Sequence, residues 1–313
     1  MTDNLDNRLE VLGVGLLASI QDAGRYGQLD YGVTQGGAMD GFAYRLGQRL
    51  VSNPANSAAI EIAMSGFCCR LIHDSTIAIT GAIVNIHIDG QPQPMNNTLT
   101  VPGGAEISIS PARDGLYSYL SVAGGIATSR ILGSRSTVLR DGIGSALTAG
   151  DSVPCGVPNP NPEYYRYLAR QRSSKIVCLR YLPGFQAPEM TPEFSAQFQN
   201  THYIMSNERD RMGIRLSGSA YNTGITQLWS EATCCGAIQI PPDGQPIVLL
   251  ADRQTMGGYP KIGAVLSVDC DRLCQAAVGT TVRFKAVDPT EADRILWLAS
   301  NYEQELRLAE RGR

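Results

Sequence analysis

The sequence predicts a mainly β protein built as two similar halves, and three observations carry that prediction. Glycine (33) and proline (17) are plentiful among the 313 residues while charged residues make up only 18%, a mix that suits turn-rich strands better than solvated helices. Residues 81–92 (GAIVNIHIDGQP) and 236–246 (GAIQIPPDGQP) share their GAI and DGQP elements. Each is an Asp-Gly turn between apolar runs, the strongest short-range hairpin signal. The two segments stand about half a chain apart, and each is followed by a Gly-containing turn before an alternating strand, at 101–109 and 278–284. A duplicated β domain accounts for that arrangement better than two chance hairpins. Two domains are also the expectation for this length. The seam is placed in 154–162 (PCGVPNPNP), whose alternating prolines favour extended backbone with few contacts. The predicted domains are therefore 1–160 and 161–313.

Strands follow from apolar runs and period-two alternation bounded by turn residues. They are placed at Ile77–Thr80, Ile83–Ile88, Glu106–Ser110, Tyr117–Val122, Ile176–Tyr181 and Val282–Val287. Ile247–Ala251 is apolar on both faces and reads as a buried support. Helices are few. Asp40–Leu50 sets Ala43, Leu46 and Leu50 on one stripe, with Asp40 as N-cap. Glu291–Glu310 sets Ile295, Leu298, Ala299, Tyr302 and Leu306 on another, capped by Thr290 with Pro289 just upstream.

Composition narrows the function classes. A net charge of −3 and a pI near 5.7 leave no electrostatic footprint for nucleic acid or an anionic membrane. The N-terminal stretch 1–10 is polar and acidic, and no apolar run approaches a membrane span. A soluble, cytoplasmic protein is expected. The eight cysteines lack the paired C-x₂-C spacing of zinc sites and the three histidines are scattered. Reduced, buried thiols are expected for most of them, and no metal is assigned.

The densest polar segment is 252–261, DRQTMGGYPK. It follows the buried strand and carries Asp252, Arg253, Gln254, Thr255, Gly257, Gly258, Tyr259 and Lys261. A loop this polar belongs at the surface, and a polar loop delivered by a rigid strand is the usual construction of a site. Lysine is scarce: Lys175, Lys261 and Lys285 are the three present, with arginine supplying the rest of the 26 basic residues. Lys261 is the amine inside the loop. Gln239 and Asp243, just upstream, join it as candidates.

Other polar clusters have a structural reading beside the functional one. Residues 19–27 (SIQDAGRYG) gather Gln21, Asp22 and Arg25, and 35–40 (QGGAMD) opens a helix whose free N–H groups suit an anion. Equally, the glycines there serve a turn and Asp40 a cap. Residues 133–137 (GSRST) offer three hydroxyls and Arg135, a chemically fair anion cradle. Residues 206–215 bring Arg209, Asp210, Arg211 and Arg215 together, which reads first as a solvated or salt-bridged face. No phosphate loop, strand-linked G-x-G-x-x-G or G-x-S-x-G elbow occurs. Any ATP used must be bound by another chain.

Six segments in order carry a resemblance: GLLASIQDAGRYG (15–27), GVTQGGAMD (32–40), SVAGGI (121–126), LGSRSTVLR (132–140), NERDRMGIRL (207–216) and SEATCCGAIQIPPDGQPIVLLADRQTMGGYPKI (230–262). Over nearly its whole length the sequence resembles the carboxyltransferase-type allophanate hydrolase subunit 2 family, whose bacterial members include the C subunit of 5-oxoprolinase. The resemblance implies tandem cyclophilin-like β-barrel domains. It also implies an enzyme component, inactive alone, that works with a B-type 5-oxoprolinase chain in a heterodimer or heterotetramer and with a LamB/YcsF-like A-type chain. Together they would cleave 5-oxo-L-proline to L-glutamate with ATP hydrolysis. Two alternatives come with the family: the carboxyltransferase module of a urea carboxylase or allophanate hydrolase-type biotin system, and a non-catalytic antagonist of a kinase inhibitor. The chain lacks both a Met-Lys-Met biotin carrier and an amidase signature, which favours the 5-oxoprolinase reading.

All these substrates are small planar amides or ureas flanked by oxygen charge. The resemblance therefore suggests roles for the polar residues. Arg253, Arg211 or Arg135 would hold a carboxylate, with Gln239, Gln254, Thr255, Gly257 and Gly258 lining the substrate. Lys261 and Tyr259 would stabilise oxyanion charge, and Asp252 or Asp243 would orient the nitrogen or accept a proton.

Overall fold

The computed structural model describes residues 7–159, 165–167, 175–187, 192–221, 223, 225, 228–305 and 309–310. Among them the chain is mainly β, with four α-helices, which is the expected fold class. It divides into two units. The first comprises Met1–Tyr26, Gly36–Arg172 and Leu306–Arg313; the second comprises Gly27–Gln35 and Ser173–Glu305.

The first unit carries β1 (Arg8–Val14), β2 (Leu17–Gln21), β3 (Ala59–Ala63), β4 (Phe67–Leu71), β5 (Ser75–Ile83) and β6 (Ile86–Ile88). It continues with β7 (Gln91–Gln93), β8 (Leu99–Val101), β9 (Glu106–Ile109), β10 (Asp114–Val122), β11 (Ser152–Pro154) and β12 (Tyr165–Arg166). Two sheets result, of order β11-β1-β4-β9-β6-β7 and β2-β3-β10-β5-β8. One core draws on both: Leu9, Cys69 and Ile107 from the first sheet, Ile60, Ile79 and Leu120 from the second. Burying each such side chain contributes about 1.5–3 kcal/mol.

Helix α1 (Gly41–Leu50) begins where expected, with Asp40 accepting from Ala43 N at 2.9 Å. The single strand expected over 83–88 is instead two, because the chain leaves one sheet after Ile83 and enters the other at Ile86. The Asp89-Gly90 turn joins β6 to β7 with positive φ at both residues (48° and 75°), as a two-residue hairpin requires. The expected linker begins as sheet. Pro154 pairs with Arg8, and Cys155 N donates to Asn7 O, so the start of that proline-rich stretch is tied down by backbone hydrogen bonds. The division falls later, at 172/173; residues 160–162 of the stretch lie outside the described residues.

The second unit carries β13 (Ile176–Pro183), helix α2 (Pro192–Asn200), β14 (Tyr203–Arg209), β15 (Gly213–Ser217), β16 (Glu231–Ala232) and β17 (Ala237–Gln239). It continues with β18 (Ile247–Leu249), β19 (Met256–Gly257), β20 (Lys261–Val265), helix α3 (Ser267–Gln275), β21 (Thr281–Ala286) and helix α4 (Pro289–Glu305). Seven strands close a barrel, β13-β20-β17-β18-β15-β14-β21, and β21 returns parallel to β13. A last strand, β22 (Ala309–Glu310), pairs with β12 in the first unit.

Helix α4 differs from its expected stripe. It buries Ala292 and Ile295 against Leu266 and Val287, with Leu296 packed alongside, while Leu298 and Tyr302 are exposed. Its cap is Asp288, whose carboxylate accepts from Glu291 N at 2.9 Å, two residues before the expected Thr290. The inner face is set by the residues it packs on, Leu266 and Val287, and Leu306 lies outside the described residues.

Candidate functional site

In the second unit, strands β17 and β18 are antiparallel neighbours joined by 240–246. The Pro-Pro-Asp-Gly part of that connection closes through Gly244 N to Pro241 O at 2.9 Å. Asp243 stays at this turn, accepting from Gln245 N at 3.2 Å and pairing with Arg215. It holds the scaffold.

After β18 the chain enters the polar loop, which is anchored at both ends. Arg211, on the β14–β15 connection, grips Asp252 with two parallel bonds, Nε to Oδ2 at 2.8 Å and Nη2 to Oδ1 at 2.9 Å. Asp252 N returns to Arg211 O at 2.8 Å. Both side chains are largely buried, so this is a bidentate pair of the geometrically demanding kind. At the far end Lys261 N donates to Gln186 Oε1 at 2.6 Å. The middle is stitched to β16 by Glu231↔Gly257 and Ala232↔Met256 pairing, by Thr233 N to Thr255 O at 2.9 Å, and by the Thr233 hydroxyl to Gln254 O.

Three buried donors in this anchored loop and its paired strand have no acceptor. They are Arg253 Nε, Gln239 Nε2 and Lys261 Nζ. Arg253 is only 4% exposed and Gln239 1%. Arg253 reaches one partner, Gln35 Oε1, at 3.1 Å, and Gln239 accepts from Gln254 at 3.4 Å. Lys261 Nζ lies 3.4 Å from Glu231 Oε1, within ion-pair range but outside hydrogen-bond alignment. Lys261 sits opposite Gln239 across the β17–β20 pairing. Arg253 and Lys261 both press their charge on Cys234. The three donors therefore belong to one neighbourhood. A buried donor left unpaired costs about 1–3 kcal/mol, and a buried cation more, so such a group is kept where an external acceptor satisfies it. Gly257 keeps the space open: a Cβ there would stand 2.6 Å from Gln239 Nε2. Gly258 and Tyr259 continue the loop, with the tyrosine 45% exposed.

Thus Asp252, Arg253, Gln254, Thr255, Gly257, Gly258, Tyr259, Lys261, Gln239 and Arg211 fall in one region of the second unit, and Asp243 serves the adjoining turn. Arg135 belongs to the first unit, where Nε donates to Thr128 O at 2.7 Å. The hydroxyl cradle around it is already filled. Ser134 and Ser136 each donate to Asp22 Oδ1 at 2.6 Å, and Arg135 N and Gly24 N add bonds of 2.7 and 2.9 Å. Burial alone would raise the Asp22 carboxyl; these four bonds outweigh it and hold the group below its ordinary value. The anion in that cradle is the protein's own. Of the 206–215 cluster, Arg211 and Arg215 are engaged in ion pairs, as the salt-bridged reading expects, while Arg209 binds the carbonyls of Cys274 and Ala276. Sequence reasoning passed over Glu231, Thr233 and Gln186, and took Gln35 only as part of the 35–40 segment at the start of a helix. Gln35, Glu231 and Thr233 lie inside the segments 32–40 and 230–262 that carry the family resemblance; Gln186 sits in no pattern.

A family model described as the carboxyltransferase domain, subdomain A and B, matches residues 31–286. The chain is 32% identical over 295 residues to the 5-oxoprolinase C subunit of Haemophilus influenzae, covering 92% of this chain and 94% of that one. It is 28% identical to the urea amidolyase of Saccharomyces cerevisiae, covering 96% of this chain but 17% of the yeast protein. The solved structure of K. lactis urea amidolyase superposes with a TM-score of 0.89 over all of this chain and 21% of the larger one, at 23% identity, a likeness of fold. With the model match spanning most of its length and a near full-length relative above 30% identity, the chain belongs to the carboxyltransferase domain family, subdomains A and B.

Proposed function

We propose that this chain is the C subunit of an ATP-dependent 5-oxoprolinase, acting with partner chains to open 5-oxo-L-proline to L-glutamate. The observation that carries the reading is the set of three unpaired buried donors, Arg253 Nε, Gln239 Nε2 and Lys261 Nζ. 5-Oxoproline is acceptor-rich, with two carboxylate oxygens and a lactam oxygen against a single N–H. A cluster whose unpaired groups are all donors is its complement. The near full-length similarity to a protein named as the C subunit of 5-oxoprolinase supports the same reading.

In this proposal Arg253 holds the carboxylate. Lys261 and Gln239 face the lactam oxygen and stabilise it as it gains charge when the ring amide is activated. Glu231 keeps Lys261 poised until substrate enters. Asp252, engaged by Arg211, fixes the loop rather than moving a proton, and Tyr259 at the rim supplies a hydroxyl near the departing nitrogen. ATP is bound and spent by the complex; this chain carries no recognisable nucleotide motif. A B-type 5-oxoprolinase chain and a LamB/YcsF-like A-type chain complete the assembly.

Mixing the purified chain with those two partners and following glutamate release tests the proposal. Release that requires ATP, 5-oxoproline and this chain supports it; release without this chain refutes it. The similarity to urea amidolyase favours one second reading, a carboxyltransferase half serving a biotin system. Carboxyl transfer from a biotinylated carrier to urea, with no glutamate formed, would establish that instead.

A further inference from the structure

One group of side chains beside the loop has no part in the proposal above. The turn Cys234-Cys235-Gly236 joins β16 to β17 and is held by Gly236 N to Leu249 O at 2.7 Å and Val265 N to Gly236 O at 2.8 Å. Helix α3 packs its Cys270 against this turn: a Cβ at Gly236 would stand 3.2 Å from Cys270 Sγ. Gly236 has φ of +86°, so the turn itself favours glycine there. Cys270 is buried and its thiol donates to Val265 O at 3.8 Å. Cys235 is an exposed residue, but its sulfur is turned inward against the Cys270 thiol. All eight cysteines are free.

The electrostatics single out one of the two sulfurs. The Cys270 hydrogen bond, opposed by burial and helped by the Arg253 charge and Gly236 N, brings the Cys235 thiol down to about 7. The same contact and burial push Cys270 well up. Exposure distinguishes the two: Cys235 is the residue that solvent reaches, and Cys270 lies behind it in the fold. Burial raises the thiols of Cys68, to about 11, and Cys155, to about 12. A solvent-reachable cysteine with a second thiol against it, its acidity raised by that contact, is the arrangement of a redox-sensing pair.

We propose that Cys235 is a peroxide-reactive thiol and Cys270 its resolving partner, so that oxidation ties the 234–236 turn to helix α3 through a disulfide. The Cys235 thiolate attacks one oxygen of hydrogen peroxide, breaking the O–O bond and forming a sulfenic acid, and hydroxide leaves. Cys270 sulfur then attacks the sulfenic sulfur. The S–S bond forms, the S–O bond breaks, and the Cys270 proton leaves with the oxygen. Two thiols have lost two electrons and one peroxide has become two waters; a dithiol reverses the step. The turn leads directly into β17, which ends at Gln239. Fixing it to α3 alters the loop from below. The thiol chemistry stands independently; only its effect on turnover rests on the proposed function.

The test uses the full chain, reduced, freed of reductant and exposed to equimolar hydrogen peroxide, then blocked with N-ethylmaleimide and digested with trypsin. A reducible link between peptides 216–253 and 262–272 is expected in the wild type and in Cys234→Ser. It should be missing from Cys235→Ser and Cys270→Ser, and in the latter Cys235 should be trapped by dimedone. At pH 7.5 Cys235 should alkylate about ten-fold faster than the exposed Cys178. A link that survives Cys235→Ser, or a wild type in which Cys178 oxidises first, overturns the proposal. Should a serine variant fail to fold, that alkylation comparison on the wild type decides. Linkage with undiminished turnover of the reconstituted complex leaves the thiol pair standing and counts against placing the site on this loop.

Discussion

Two buried polar clusters, one in each unit, are built from similar parts and end differently. Around Asp22 in the first unit, glycine-rich backbone and two serines surround a carboxylate, and the anion and its donors satisfy each other. Around Arg253 in the second unit, glycine-rich backbone surrounds a guanidinium, an amide and an amine, and three donors are left over. The first unit has its own unpaired buried atoms, on Asn7, Gln21, Ser65, Arg70 and Ser75 among others. Those are scattered single atoms of mixed kind. In the second unit, among the described residues, the unpaired atoms are all donors and all belong to one loop and its paired strand. A closed network stabilises a fold; an open one of a single sign leaves donors for water or a ligand to satisfy.

Breaking the anchor of the open cluster should have the largest effect. Arg211→Ala leaves Asp252 buried without its bidentate partner and should cost about 3–5 kcal/mol in urea unfolding. The double variant Arg211→Met, Asp252→Leu should recover much of that loss. Next comes Lys261→Ala, expected to lower turnover of the reconstituted complex by about 10²–10³-fold while circular dichroism and unfolding midpoint stay unchanged. Intact turnover would end the electrostatic role.

The closed cluster should respond in stability alone. Asp22→Asn should cost about 1–3 kcal/mol without changing turnover. The sign of its pH dependence follows from the lowered carboxyl. A group whose folded value lies below its unfolded one stabilises fully above the unfolded value, about pH 4, and that stability is lost as pH falls through the folded value. The wild type should therefore lose thermal stability below about pH 4 more steeply than Asp22→Asn. Smallest is Gln239→Leu, which removes an unpaired donor. Its stability should change by under about 1 kcal/mol, or rise, while turnover falls. A large loss of stability there would mean that the donors are structural.

Much of this was legible in the sequence because it is local. The Asp89-Gly90 turn, the buried strand before the loop and the Asp40 cap are short-range signals, and each appears where its residues place it; Asp243-Gly244 also turns the chain, but inside the longer 240–246 connection instead of a two-residue hairpin. The loop also announced itself through polarity on a rigid support. Long-range pairing is what escaped. Nothing near Arg211 says that it will meet Asp252, or near Ser134 and Ser136 that their acceptor is Asp22. The same limit explains α4: its stripe was drawn from periodicity, whereas its inner face is set by Leu266 and Val287 and its start by Asp288. Gln186, whose side-chain amide oxygen accepts from Lys261 N, comes from a strand-end loop with no pattern of its own.

The parallel pairing of β13 with β21 has a consequence for how the second unit is made. The barrel's first and last strands in chain order, Ile176–Pro183 and Thr281–Ala286, are neighbours in its wall. During synthesis from the N-terminus, β13 waits with one edge unpaired until nearly the whole unit has emerged. Closing so long a loop is entropically slow, and an unpaired strand edge is a template for association with other chains. The second unit is therefore the late-folding one, and a chain halted before residue 281 presents two open barrel edges, on β13 and β14, to whatever strand arrives first.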